Sequence, residues 1–161
     1  EQFKGIYDAW FEPVRNFIYF KTGDVGLTED IVQDVFVKLW ENRRKVKPDT
    51  VKSYLYKIAR NMSINQLKKQ QSAIRFIIRQ DQSAYESNSA ERKMEQREQD
   101  EALQKALAKV SEKNRVVLLM HKMEGISHKE IAQRLDISEK AVEKRMHKAM
   151  EKLRRELSLN D

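Results

Sequence analysis

Tyr54, Tyr56, Lys57, Arg60 and Asn61 stand close together in the chain, with Ser53, Ile64 and Lys68 at helical spacing around them. Rings, cations and an amide on one face suit single-stranded DNA. Bases stack on rings, cations follow the phosphates, and an amide reads a base edge. The run Arg43-Arg44-Lys45-Val46-Lys47 precedes this stretch. A basic loop abutting such a helix can frame a pocket for an extruded base. The competing reading places the tyrosines at the edge of a core.

A second set lies downstream. Ser127-His128-Lys129-Glu130 has the form of a capping box, with Ser at the N-cap and Glu three residues on. It opens a short helix with Ile131, Ala132 and Leu135 on one face. Asp136-Ile137-Ser138 makes a tight turn, and Ser138 caps a second helix whose Val142, Met146, Ala149 and Leu153 form one stripe. The opposite face carries Lys140, Glu143, Lys144, His147 and Lys148, with Arg145 on its flank. Two short capped helices with a basic outer face resemble a DNA-binding helix-turn-helix, against the alternative of an ordinary helical hairpin. Lys140 and Lys144 suit guanine acceptors and Glu143 a cytosine amine, while Arg145, Lys148, Arg154 and Arg155 suit phosphates.

Other chemistry is poorly supplied. The chain has no Cys, so thiolate metal sites, disulfides and Cys nucleophiles are excluded. Paired carboxylates, a Gly-rich phosphate loop and His/Asp metal spacing are absent from the sequence. His121, His128 and His147 are scattered and read as surface residues. No catalysis, metal, cofactor or small-molecule substrate is expected.

The elements that must hold these sets are helical. Four Gly and two Pro in 161 residues are too few for an all-β fold. An all-α fold of two small domains is expected. A first helix covers 1–21, broken by Thr22-Gly23-Asp24. A second runs from an N-cap at Thr28 to about Asn42 and buries Val32, Val35, Phe36 and Leu39, with Trp40 beside them. Its outer face shows Asp30, Gln33, Asp34, Val37 and Glu41, which fits docking on a basic helical partner or a merely solvated face. Pro48 marks a loop, and a third helix covers about 50–69, burying Leu55, Ile58, Ala59 and Met62. Residues 1–70 form the first domain. Residues 71–98, rich in Gln, Ser, Glu and Arg, read as a linker with one apolar cluster, Ile74, Phe76, Ile77 and Ile78. Residues 99–161 form the second domain. There Leu103, Ala106, Leu107 and Val110 make a stripe, Ser111 caps the next helix, and Gly125 ends it.

Charge follows the same division. The net charge is +7, unevenly placed. Residues 42–79 hold eleven Lys/Arg against one Asp, and residues 102–161 fourteen against nine acids. Residues 1–41 hold four against eight, and residues 80–101 three against seven. Two basic blocks alternate with two acidic ones, which fits two polyanion-facing surfaces and an acidic protein-facing one, against the alternative of chance segregation in a highly charged helical protein. No apolar run approaches the roughly 18 residues of a membrane span, and no leader pattern is present, so a cytoplasmic protein is expected.

Phe36-Val37-Lys38-Leu39-Trp40 and Tyr54-Leu55-Tyr56-Lys57-Ile58-Ala59-Arg60-Asn61 resemble region 2 of bacterial RNA polymerase sigma factors. Glu124-Gly125-Ile126-Ser127-His128-Lys129-Glu130-Ile131-Ala132 and Ile137-Ser138-Glu139-Lys140-Ala141-Val142-Glu143 resemble their region 4. The length and the bare linker look like the extracytoplasmic-function (ECF) class. Tyr54 and Ser111 stand where the family often has Trp and Pro.

The resemblance implies a division of labour. Asp30, Gln33, Asp34, Val37 and Glu41 would bind the clamp helices of the polymerase largest subunit. Arg43, Arg44, Lys45, Lys47, Tyr54, Tyr56, Lys57, Arg60, Asn61 and Lys68 would melt and hold the −10 element. Ser127, Ser138, Lys140, Glu143, Lys144, Arg145, His147 and Lys148 would read the −35 element, and the same domain would meet the polymerase flap. An anti-sigma factor, usually membrane-linked, would hold the protein inactive. The two promoter elements lie roughly 50 Å apart at about 34–36 Å per duplex turn. A 28-residue linker has a coil dimension of about 29 Å and an extended reach of roughly 90 Å, so it spans the gap partly stretched. The alternative is a stand-alone helix-turn-helix regulator with a dimerising or sensing bundle. That reading leaves the basic aromatic helix unexplained.

Overall fold

The computed structural model describes residues 2–70 and 90–158, with side chains for 2–66 and 94–158. The described residues form seven α-helices and one 3₁₀ turn. The apolar cluster at 74–78 and most of the expected linker lie outside them.

Helix α1 (Gln2–Thr22) buries Val14, Phe17, Ile18 and Phe20. Pro13 lies inside it and lacks the N–H that would close one turn. The chain reverses at Gly23, whose φ of 66° suits glycine. Helix α2 (Val25–Asn42) starts three residues before the expected N-cap. Asp24 is the cap, and its Oδ1 accepts from the Leu27 N–H at 2.8 Å. Thr28 is buried inside the first turn, its hydroxyl donating to the Asp24 carbonyl at 2.6 Å. Both residues have capping chemistry, and burial decided between them. After a turn at Pro48–Thr50, helix α3 (Val51–Gln70) lays Val51, Leu55, Tyr56 and Ala59 against α1 and α2.

Helix α4 (Ala90–Lys109) corrects the linker boundary, because residues 90–98 are helical rather than linker. Its residues Glu91, Arg92, Lys93, Glu95, Gln96, Arg97 and Glu98 are good helix formers. The polarity of Glu95, Gln96, Arg97 and Glu98, which suggested a linker, belongs to an exposed stretch of the helix. Ala106, Leu107 and Val110 then pack on the last helix. Helix α5 (Glu112–Glu124) buries Val116 through Met120 and ends at Gly125, φ 66°. Ser111 holds the N-cap position but makes no side-chain cap bond. Helix α6 (His128–Leu135) and helix α7 (Glu139–Ser158) complete the C-terminal domain around Val142, Ala149 and Leu153.

The two helical domains pack on each other. Helix α5 meets α1, and helix α6 meets α3. No helix among the described residues is long and apolar enough to cross a membrane.

Candidate nucleic-acid interface

The helix-turn-helix forms as its caps require. Ser127 Oγ accepts from the Glu130 N–H at 3.1 Å, and Ser138 Oγ accepts from the Ala141 N–H at 3.1 Å. Asp136 takes the left-handed conformation between them, φ 53°, which Asp tolerates better than most residues. Only half of the capping box forms. The Glu130 carboxylate turns to Arg134 at 2.8 Å and Lys52 at 3.1 Å instead of returning to Ser127. On α7, Lys140, Glu143, Lys144, His147 and Lys148 are all exposed on the face away from the core. Arg145 is not with them. It is half-buried and lines a cleft against α3.

The set expected to hold a single strand divides in the same way. Ser53, Lys57, Arg60 and Asn61 are exposed along α3, and Tyr54 is half-buried. Arg44, Lys45 and Lys47 are exposed in the preceding loop. Arg43 is exposed too, but its guanidinium lies 4.0 Å from the Trp40 ring centre and donates to the Trp40 carbonyl at 2.7 Å. The Lys68 side chain lies outside the described residues.

Tyr56 departs from expectation. It is 2% exposed, edge-on to Phe17 at 5.0 Å and Trp10 at 6.3 Å. Arg134 of α6 donates to its hydroxyl at 3.1 Å. Burial pushes the phenol up from its ordinary value. In this arrangement Tyr56 offers no ring face to a base, and the core-edge alternative describes it better.

Arg134 and its surroundings were not singled out by sequence. Its guanidinium lies 5.3 Å from the Trp10 ring centre and 3.7 Å from Glu124. Lys52 on α3 also bonds Gln133 at 3.2 Å, and Lys21 on α1 bonds Glu112 on α5. Burial would raise Glu130, but hydrogen bonds from Arg134 and Lys52 outweigh it and hold the carboxyl below its ordinary value. Glu124 goes the other way. Burial raises it despite Asn16 and Arg134. No sequence period predicts these pairs, because the partners sit 78 residues apart for both Lys52–Glu130 and Arg134–Tyr56. His121 and His128 also meet, with ring centres 4.9 Å apart. They were expected to be separate surface residues, and the turn after α5 folds one over the other.

On the far side of the N-terminal domain, Asp30, Gln33, Asp34, Val37 and Glu41 are exposed on α2. Beside them runs an apolar groove lined by Phe3, Tyr7, Phe11, Phe36, Val37 and Trp40. Val37 is 54% and Trp40 48% exposed. Sequence placed Trp40 next to the buried stripe, but the structure leaves nearly half of it open.

Fold and site together define a two-domain helical chain with a helix-turn-helix at one end and a basic aromatic helix at the other. Comparison with known proteins specifies it. Residues 6–73 match the Sigma-70 region 2 family, and residues 100–153 match Sigma-70, region 4. The chain belongs to the sigma-70 family of RNA polymerase sigma factors, in its ECF class. It is 28% identical to the ECF RNA polymerase sigma factor SigL of Mycobacterium tuberculosis, covering 94% of this chain and 86% of that one. It is 25% identical to the ECF RNA polymerase sigma factor SigX of Bacillus subtilis, covering 99% and 85%. It is 24% identical to the RNA polymerase sigma factor SigZ of the same organism, covering 92% and 83%. The fold is similar to the sigma factor RpoE of Bartonella quintana, solved in complex with the anti-sigma factor NepR. The TM-score is 0.65 over 99% of both chains, at 22% identity.

Proposed function

We propose that this chain binds core RNA polymerase, reads the −35 and −10 promoter elements and directs transcription initiation, in the bacterial cytoplasm and without catalysis of its own. The observation that carries the reading is the pairing of two sigma-70 regions, in order, with exposed reading surfaces on α7 and α3. Lys140, Glu143, Lys144, His147 and Lys148 face the −35 duplex from the N-terminal part of α7, where a recognition helix meets base edges. Ser127 and Ser138 hold the two helix starts in register. Arg44, Lys45, Lys47, Tyr54, Lys57, Arg60 and Asn61 take the unpaired −10 strand, the Tyr54 ring by stacking and the cations by phosphate contact. Tyr56 and Arg145 join these sets only if the two domains part.

The α2 face is the polymerase docking surface. Its acidic residues steer a basic helical partner, and the groove at Val37 and Trp40 supplies the apolar area that binding needs. An anti-sigma factor is the expected inhibitor. Reconstitution with core polymerase on a promoter library tests the whole reading. A promoter-dependent run-off transcript is expected, and failure to bind core or to give any transcript overturns it.

A further inference from the structure

Between α3 and the α5–α7 side of the C-terminal domain lies a cleft of about 840 Å³, within the roughly 300–1,000 Å³ of small-ligand sites. Both domains build it. Lys57 and Arg60 stand on the α3 wall, and Lys113 and Arg145 on the opposite one. None of these four has an ion-pair partner among the described residues. Two carboxylates also line the cleft. Glu112 is engaged by Lys21, and Asp136 sits in the exposed turn before α7.

Arg60 and Arg145 repel one another across the gap. Burial first, and then the facing Arg60, push the Arg145 guanidinium down from its ordinary value. Like charges brought together between low-dielectric walls raise the free energy of the closed arrangement, and an anion seated between them lowers it. Phosphate suits the site best, because a guanidinium fork bonds two phosphate oxygens at once. Ser53 and Asn61 add hydroxyl and amide donors, and Phe17, Val116 and Ile137 add apolar lining.

We propose that the interdomain cleft binds a small ligand carrying a phosphate chain, which bridges Lys57 and Arg60 to Lys113 and Arg145 and holds the domains together. The proposal rests on the assignment of α3 to the −10 strand, since ligand and strand then compete for Lys57 and Arg60. Binding would keep the factor closed, and release would free α3.

The test uses the full chain without polymerase. Inorganic triphosphate and a nucleoside triphosphate are titrated separately by calorimetry at low salt. The chain has no Cys, so Glu12→Cys and Glu151→Cys give unique label sites on the two domains for energy transfer. One-to-one binding of either probe is expected, weakened about tenfold or more by Arg60→Ala or Arg145→Ala. Transfer should rise on saturation in the parent chain and not in Arg145→Ala. Without ligand, each arginine variant should unfold at a urea midpoint no lower than the parent's, because a repulsion has been removed. No saturable binding, binding undiminished in both variants, or an unchanged interdomain distance overturns the proposal. Run-off transcription takes no part in these readouts, so each reading stands or falls by its own experiment.

Discussion

Arg134 engages Tyr56, Glu130, Glu124 and the Trp10 ring from a single position on α6. Replacing it leaves the Tyr56 hydroxyl without its donor and Glu124 without its cation, both in poorly solvated surroundings. Arg134→Ala should cost about 1–3 kcal/mol of stability, read from the urea midpoint, and should lower energy transfer between the domains. A residue facing outward behaves differently. Lys144 is exposed on α7, so Lys144→Ala should leave stability unchanged. It should relax −35 selectivity by about 1–3 kcal/mol at one base pair, measured by binding to single-base-pair variants. Lys144 was legible in the sequence because helical period alone places it opposite Val142 and Ala149. Arg134 was not, because its partners come from another domain.

Caps and turns carry the next scale. Ser138 holds the start of α7 through the Ala141 N–H, and that first turn is the part proposed to enter the groove. Ser138→Ala should cost about 1 kcal/mol and weaken −35 duplex binding by fraying the turn, as circular dichroism and a binding titration would show. On α2, the acidic outer face stands clear of the C-terminal domain. Asp34→Lys should therefore weaken core polymerase binding while leaving −35 duplex binding unchanged, measured in parallel titrations. Element positions were read well from sequence because Gly125, Ser127 and Ser138 act within a few residues of themselves. The start of α2 was misplaced because Asp24 and Thr28 both have capping chemistry. The start of α4 was misplaced because composition cannot separate a polar linker from a polar helix face.

For the whole molecule, charge order matters more than net charge. Lys57 and Arg60 of one basic block and Lys113 and Arg145 of the other line one cleft, while the acidic face of α2 stands apart from it. The domains are held closed by Lys21–Glu112, Lys52–Glu130 and the Arg134 contacts. On the proposed assignment, elements about 50 Å apart require α3 and the helix-turn-helix to separate, and these contacts would then break on the promoter. The two carboxylates at the seam titrate with opposite sign. Glu130 lies below its ordinary 4.5 when folded, so its contribution is present above that value and lost as pH falls through the lowered one. Glu124 lies above 4.5 when folded, so its contribution is present below 4.5 and fades as pH rises through the raised value. Acidification from neutral should first tighten and then loosen the structure. Glu124→Gln should remove the first phase and keep the second, as urea midpoints measured across pH would reveal. Added salt should also loosen the seam by screening Lys52–Glu130, whose side chains are partly exposed.

The amino-acid sequence by itself determined the helices, the helix-turn-helix, the acidic face of α2 and the family, because each follows from period, caps and spacing within a short stretch of chain. Only the tertiary structure decided that Tyr56 is core, that Arg145 turns into a cleft and that Trp40 stays half open. How α1 packs beside α2 sets the third, and the first two depend on which surfaces meet when the two domains dock. That choice is made by pairs such as Lys52–Glu130, which no local pattern brings together.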